Sequence, residues 1–421
     1  MYVERPPVFD NLYRGITMST SKALADAAAA QPEIPQDARD RARELEWEDG
    51  LIELALSKGH SLTEVWQALR GNVKGEQAKQ FLAGGQMVRP EFRWMKVPTE
   101  WGIRARASDP EMGLTIEDLN VGTYGDIPDV WTNRSEIARG SFPSPVNEDM
   151  GYTIFDKAQI WADCVVPLYE IAIRDRWISS TDLRWASLEP LADDTEKAVC
   201  QFMTEQSERA YYTGALWSGW LPEISYGYLE MKLFLSTVIY DLARHSEAFR
   251  KRALSNGGGL GLQAPTDFSR CAQEARSYPE LTAVLFVQDS MLLTLFKNGD
   301  LFAQNQLERD MYALVARDRQ RMMDYHIERL KHFLFKVPER RDEQQLYFGK
   351  AEGRMSKDWT DPVVNEPLAI LLGGGRDNME AGAAKLKDLR KLQVDTYIKD
   401  LEKATFFRKG LNARFKDILG I

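Results

Sequence analysis

From Thr153 onward the chain is a succession of long amphipathic segments, about 155–178, 194–218, 223–253, 266–297, 300–336 and 377–416, and strand-like alternation of apolar and polar residues is essentially absent. Such a pattern must bury its apolar stripes helix against helix, which makes a bundle of long helices the reachable architecture. With 421 residues, 44% hydrophobic and 10% aromatic, the chain can build a substantial core. That length calls for one large helical domain with an appended segment, or for two domains.

Upstream, residues 1–35 mix Pro-Pro, Ser-Thr and the run Ala23–Ala30, which reads as an N-terminal arm. Helical spacing starts at Gln36. Leu45, Ile52, Leu54 and Leu56 mark one helix, Gly59 stops it, and Ser61 with Glu64 makes a capping box for a second, so 36–83 is expected to be a helical hairpin. Prolines at 90, 98, 110, 128, 143 and 145 break up 84–151, which is expected to be an irregular wrapping segment. The remaining chain divides into a four-helix core at 152–340 and a C-terminal helical segment at 341–421.

Charge and composition exclude several functions. The 54 Lys+Arg and 63 Asp+Glu are interspersed at a net charge of −9, and no basic stripe points to nucleic acid. No uninterrupted apolar run approaches the roughly 20 residues that cross a bilayer. The opening Met1-Tyr-Val-Glu-Arg-Pro-Pro lacks the order of a secretory signal, so a cytoplasmic protein without a membrane role is expected. Cys164, Cys200 and Cys271 are widely separated, as reduced thiols would be. The glycine runs at 257–261 and 373–375 follow helices and do not open a strand-turn-helix unit, which excludes phosphate cradling. No hydrolase triad has a local signature.

Chemistry concentrates on the histidines. There are four, and His245 and His326 each fall late in a long core-like helix. Glu208 precedes His245 by 37 positions (245 − 208), and Asp289 precedes His326 by the same 37 (326 − 289). Two helix pairs with short turns would bring Glu208, His245, Asp289 and His326 to one level of a four-helix core. Asp289 lies in the apolar run Leu285-Phe-Val-Gln-Asp-Ser-Met-Leu-Leu293, where a carboxylate is costly unless paired or ligating. Glu205 lies one turn before Glu208 on the same face. The bland reading is a set of buried histidines satisfied by carboxylates, with Glu205 and Glu208 on the polar edge of an amphipathic helix. Trp177 reads as packing.

The segment Asp241-Leu-Ala-Arg-His245 resembles, over roughly residues 153–340, the Asp-Glu-x-Arg-His motif of the ferritin-like dinuclear-iron carboxylate proteins, nearest to the hydroxylase subunits of bacterial multicomponent monooxygenases. Leu242 stands where that family has a metal-binding Glu. In the second half, Met322-Met-Asp-Tyr-His326 keeps the histidine, with Met323 in the place of the Glu. The resemblance implies an all-α, ferritin-like (ribonucleotide reductase small-subunit-like) bundle. It also implies a metal site of one or two iron ions, or manganese, held by Glu205, Glu208, His245, Asp289 and His326, with Asp241 and Arg244 behind His245. No catalytic residue is assigned.

Two functions follow from it. One is a non-haem metal-dependent oxygenase component acting on a small apolar or aromatic substrate, with a reductase or other oxygenase subunits as partners in a homo- or hetero-oligomer. The other is a metal-free auxiliary subunit of such a complex, which the apolar replacements favour because leucine and methionine cannot bridge hard metal ions. A bundle that binds an apolar ligand is a third reading.

Overall fold

The computed structural model describes residues 34–82, 95, 100, 102–141, 148–263 and 267–420. The expected N-terminal arm lies outside them, apart from Ile34 and Pro35, as does part of the 84–151 segment. The chain divides into two compact units, residues 1–98 and 99–421.

The described part of the first unit holds four short helices: α1 (Gln36–Glu44), α2 (Leu51–Ser57), α3 (Leu62–Arg70) and α4 (Gly75–Leu82). The single helix expected across Leu45 to Leu56 is broken, because the backbone turns at Glu46 (φ 61°) and Gly50 (φ 86°). The Ser61–Glu64 capping box forms: Ser61 N donates to Glu64 Oε2 at 2.7 Å, and Glu64 N donates to Ser61 Oγ at 3.2 Å. A small core gathers Ala38, Trp47, Leu51, Ile52, Val65 and Leu69. Trp47 Nε1 donates to Val73 O at 2.7 Å, which ties the chain after α3 back to the chain after α1.

The described part of the second unit is all-α, with only isolated β-bridges. Its helices are α5 (Val165–Arg174), α6 (Asp193–Trp220), α7 (Leu229–Ser255), α8 (Asp267–Gln273), α9 (Tyr278–Lys297), α10 (Gln306–Lys336), α11 (Arg341–Asp358), α12 (Pro362–Gly373), α13 (Met379–Lys403) and α14 (Ala413–Leu419). The expected helix at 155–178 is reduced to one turn at Lys157–Ile160 and to α5. The segment 266–297 is split at Ser277, which caps α9 by accepting from Glu280 N.

Helices α6 and α7 are antiparallel. Cys200 meets Ala253, Ser207 meets Ser246 and Gly214 meets Leu242, so one number rises as the other falls. The same ordering holds for α9 and α10, where Phe296 packs on Tyr312 and Phe286 on His326. Gln288 Nε2, donating to Thr213 Oγ1 at 2.9 Å, links α9 to α6. Arg252 and Glu308 link α7 to α10. These four helices form a ferritin-like core with His245 on the second helix of the first pair and His326 and His332 on the second helix of the other.

Helix α9 is long and apolar enough by itself to cross a membrane. Here it is the central element, with every residue from Tyr278 to Phe296 buried. Helices α11 and α13 pack against it, while α12 packs against α6 and α13.

Candidate functional site

The site lies between α7 and α10 and spreads onto α9. His245 is fully buried, and its Nε2 donates to Asp318 Oδ2 at 3.0 Å. Asp318 can only accept, so Nε2 carries the proton and the lone pair of Nδ1 is left bare, without a partner. Burial pulls the His245 pKa down to about 4, against the pull of Asp318. The imidazole is therefore neutral at pH 7.

Asp318 is the hub of this half. Trp177 Nε1 donates to its Oδ2 at 2.8 Å, Arg244 Nη2 to the same oxygen at 2.7 Å, and Arg321 Nη2 to Oδ1 at 2.7 Å. Burial would raise its carboxyl, but the hydrogen bond from His245 and the two guanidiniums hold it well below the usual carboxylate range. Asp241 accepts from Arg244 at 2.5 Å and from Arg321 at 2.7 Å. Burial and the neighbouring Asp318 push its carboxyl up. Two carboxylates thus face two guanidiniums around a neutral imidazole, and the cluster balances its charge in a place where an unpaired ion would be costly.

The pairing is reciprocal. Asp241 and Arg244 stand three apart on α7, Asp318 and Arg321 stand three apart on α10, and each arginine bonds the aspartate of both helices. The two segments are therefore equivalent. The second-half counterpart of Asp241-Leu-Ala-Arg-His245 is Asp318-Arg-Gln-Arg-Met322, one helical turn before the segment that sequence reading takes. Arg319, not Met323, stands in the place of the second motif Glu, and Met322 stands in the place of its His.

The 37-residue offset does bring Asp289 to His326: Nε2 donates to Asp289 Oδ2 at 3.0 Å, and His326 Nδ1 is again buried and without a partner. Arg319 Nη1 donates to Asp289 Oδ1 at 2.7 Å, and its charge also acts on His245. A guanidinium therefore connects the two histidine halves.

The equal offset fails at Glu208, which is partly exposed and bonded to Arg250 on the outer side of the α6–α7 pair. Glu205 is also outside the histidine cluster. Its Oε1 accepts from Arg209 Nε at 3.1 Å and Nη2 at 2.5 Å, and its Oε2 from Gln206. Asp241 does not orient His245, because its two oxygens are held by arginines; Asp318 orients it instead, with Arg244 behind Asp318. Sequence reading misses Asp318, Arg319, Arg321 and the part Trp177 plays. The trace they leave in the sequence is the repeat of Asp-x-x-Arg, Asp241 with Arg244 and Asp318 with Arg321, which by itself does not mark the crossed bonds or Trp177.

A dinuclear carboxylate centre needs four carboxylates and two imidazoles around ions that carry high positive charge. Among the described residues no three His, Cys, Asp or Glu side chains converge as a metal site. The motif positions offer Leu242, His245, Arg319 and Met322, and one of these is itself a cation. The residues present do not fit the group.

No family model matches the chain, and no curated protein matches it. Solved structures of mutant R2-like ligand-binding oxidases are similar to it. One with anaerobically reconstituted Mn/Fe cofactor is 15% identical at a TM-score of 0.37, covering 60% of this chain and 98% of its own. Another, with aerobically reconstituted Mn/Fe cofactor, is 18% identical at a TM-score of 0.38, covering 58% and 93%. The metals these oxidases carry are the iron and manganese expected from the motif resemblance.

Proposed function

We propose that this chain is a non-catalytic helical subunit of the multicomponent monooxygenase type, in which ion pairs between aspartates and arginines occupy the place of a dinuclear centre. The observation that carries this is Arg319. Its guanidinium stands at a motif position for a metal-binding carboxylate, is buried, and is neutralised by Asp289. A fixed cation there repels a metal ion and at the same time supplies the positive charge that the surrounding acids need. The role left to such a chain is to support and position other oxygenase subunits.

One observation favours the oxygenase reading: His245 and His326 each keep a bare, buried Nδ1, with Nε2 held by a carboxylate, as in a metal-ligating histidine. Element analysis of protein purified from cells grown with iron and manganese separates the two. The expected result is well below one ion per chain and no visible absorption band. One or two ions per chain, lost in His245→Ala, would overturn the proposal.

A further inference from the structure

The C-terminal end of the second unit is a strap bonded to α11 and α13. Helix α13 stops at Lys403, and the chain turns at Thr405, whose φ is 56°. Thr405 N donates to Glu402 O and Phe406 N to Leu401 O, both at 2.9 Å, the bond pattern of a helix end where glycine or asparagine normally stands. A β-branched residue in this left-handed region is strained. Beyond the turn, Phe406 and Phe415 are fully buried. Phe406 packs on Phe348 of α11 with ring centres 5.2 Å apart, and Phe415 stacks on Trp359 at 5.5 Å.

Between these two anchors the strap meets a carboxylate. Glu352 of α11 is fully buried, and Arg408 of the strap holds both of its oxygens, with Nε 2.8 Å from Oε1 and Nη2 3.2 Å from Oε2. Asn412 N donates to Oε2 at 2.9 Å, and the Tyr397 hydroxyl of α13 donates to Oε1 at 2.8 Å. Two glycines on α11 leave room for the strap: a Cβ at Gly349 would come to 3.4 Å from Arg408 Nη2, and one at Gly353 to 3.3 Å from Asn412 Nδ2. The groove is thus shaped and charged for this segment. Two demands then conflict. Relaxing Thr405 to extended backbone carries the strap off its own groove, and an empty groove leaves Glu352 without Arg408, which is costly for a buried charge. The strap of a second copy meets both demands, because it brings the same arginine and the same two phenylalanines.

We propose that residues 406–419 exchange between two copies of this chain, each copy's Arg408 pairing with Glu352 of the other while both Thr405 residues relax to extended backbone. The exchange keeps every bond of the strap and loses only the strain at the turn. It is independent of whether the histidine cluster holds metal.

Exchange requires the strap to leave its groove, so the full chain is refolded from urea at low and at high protein concentration and sized by chromatography with light scattering. A dimer that grows with the concentration during refolding is expected. Gly353→Cys with Asn412→Cys records which chain fills the groove, once thiol titration shows the bridge closed. Cys164→Ser in the same chain removes the partly exposed native thiol. Dimer chains should run as a covalent pair on a non-reducing gel, and monomer chains singly. Thr405→Gly adopts the left-handed turn without strain, which favours the closed monomer and should raise the dimer dissociation constant about 10-fold or more. No dimer after refolding at high concentration, a dimer whose bridged chains separate on the gel, or an unchanged dissociation constant in Thr405→Gly would each overturn the proposal.

Discussion

His245 is held neutral by burial, and that makes its contribution to stability depend on pH. Its folded pKa lies at about 4 against 6.5 for the free side chain. Below pH 6.5 the unfolded chain takes up a proton that the folded chain refuses until about pH 4, so the stabilising part of His245 is present above 6.5 and is lost on acidification through that window. The destabilisation caused by His245→Gln should therefore be smaller at pH 5 than at pH 7.5, by about 2 kcal/mol. Paired urea titrations at the two pH values measure it, and an equal effect at both would show that folding does not lower the proton affinity of this imidazole. Asp318, which holds this histidine, escapes sequence reading for a physical reason. Histidine is rare in this chain and draws the alignment to His326, whereas an aspartate followed three residues later by an arginine is common on any solvated helix. Only the crossed bonds between α7 and α10 set that pair apart. Asp289 is legible because a carboxylate inside an unbroken apolar run must have a partner. Glu208 is misread because an equal offset along the chain does not fix which side of the helix a residue faces.

At the scale of elements, the close approach of α12 and α13 depends on one glycine. A Cβ at Gly382 would run into the carbonyl of Ala369, which belongs to backbone and cannot swing aside. Gly382→Ala should push the two helices apart and cost about 1–3 kcal/mol, the usual price of overpacking. A denaturant midpoint unchanged in that variant would count against the contact. Helix periodicity locates the long helices α6, α7 and α10 and the C-terminal end of α9 because their length makes the pattern strong. The same pattern runs α9 back through α8 to residue 266, whereas the helix starts at Tyr278. It does not resolve α11 and α12 as separate helices within the C-terminal helical segment, because they are shorter. Glu352 and Asp358 are buried in α11, which blurs its apolar stripe. Pro367 is the sixth residue of α12, past its first turn, and reads as a breaker. The Ser61–Glu64 box is readable because both partners lie within one turn, and local bonds of that kind need no tertiary information.

Over the whole molecule, the two units have separate apolar cores, one built from residues between 38 and 78 and one from residues between 154 and 415. A core as small as the first supports only a few kcal/mol. Differential scanning calorimetry should therefore resolve a minor transition below the main one, and a single transition with matching calorimetric and van't Hoff enthalpies would contradict it. The larger unit also carries charge through its middle. Along the seam of α7 and α10 run Arg252 with Glu308 and Glu196, then Arg244 with Asp318, then Arg321 with Asp241, all buried. Unfolding such a seam hydrates polar as well as apolar surface, and these two lower and raise the heat capacity respectively. The seam therefore flattens the curve of stability against temperature, so that the large unit loses less of its stability on cooling or warming than an apolar bundle of the same size would.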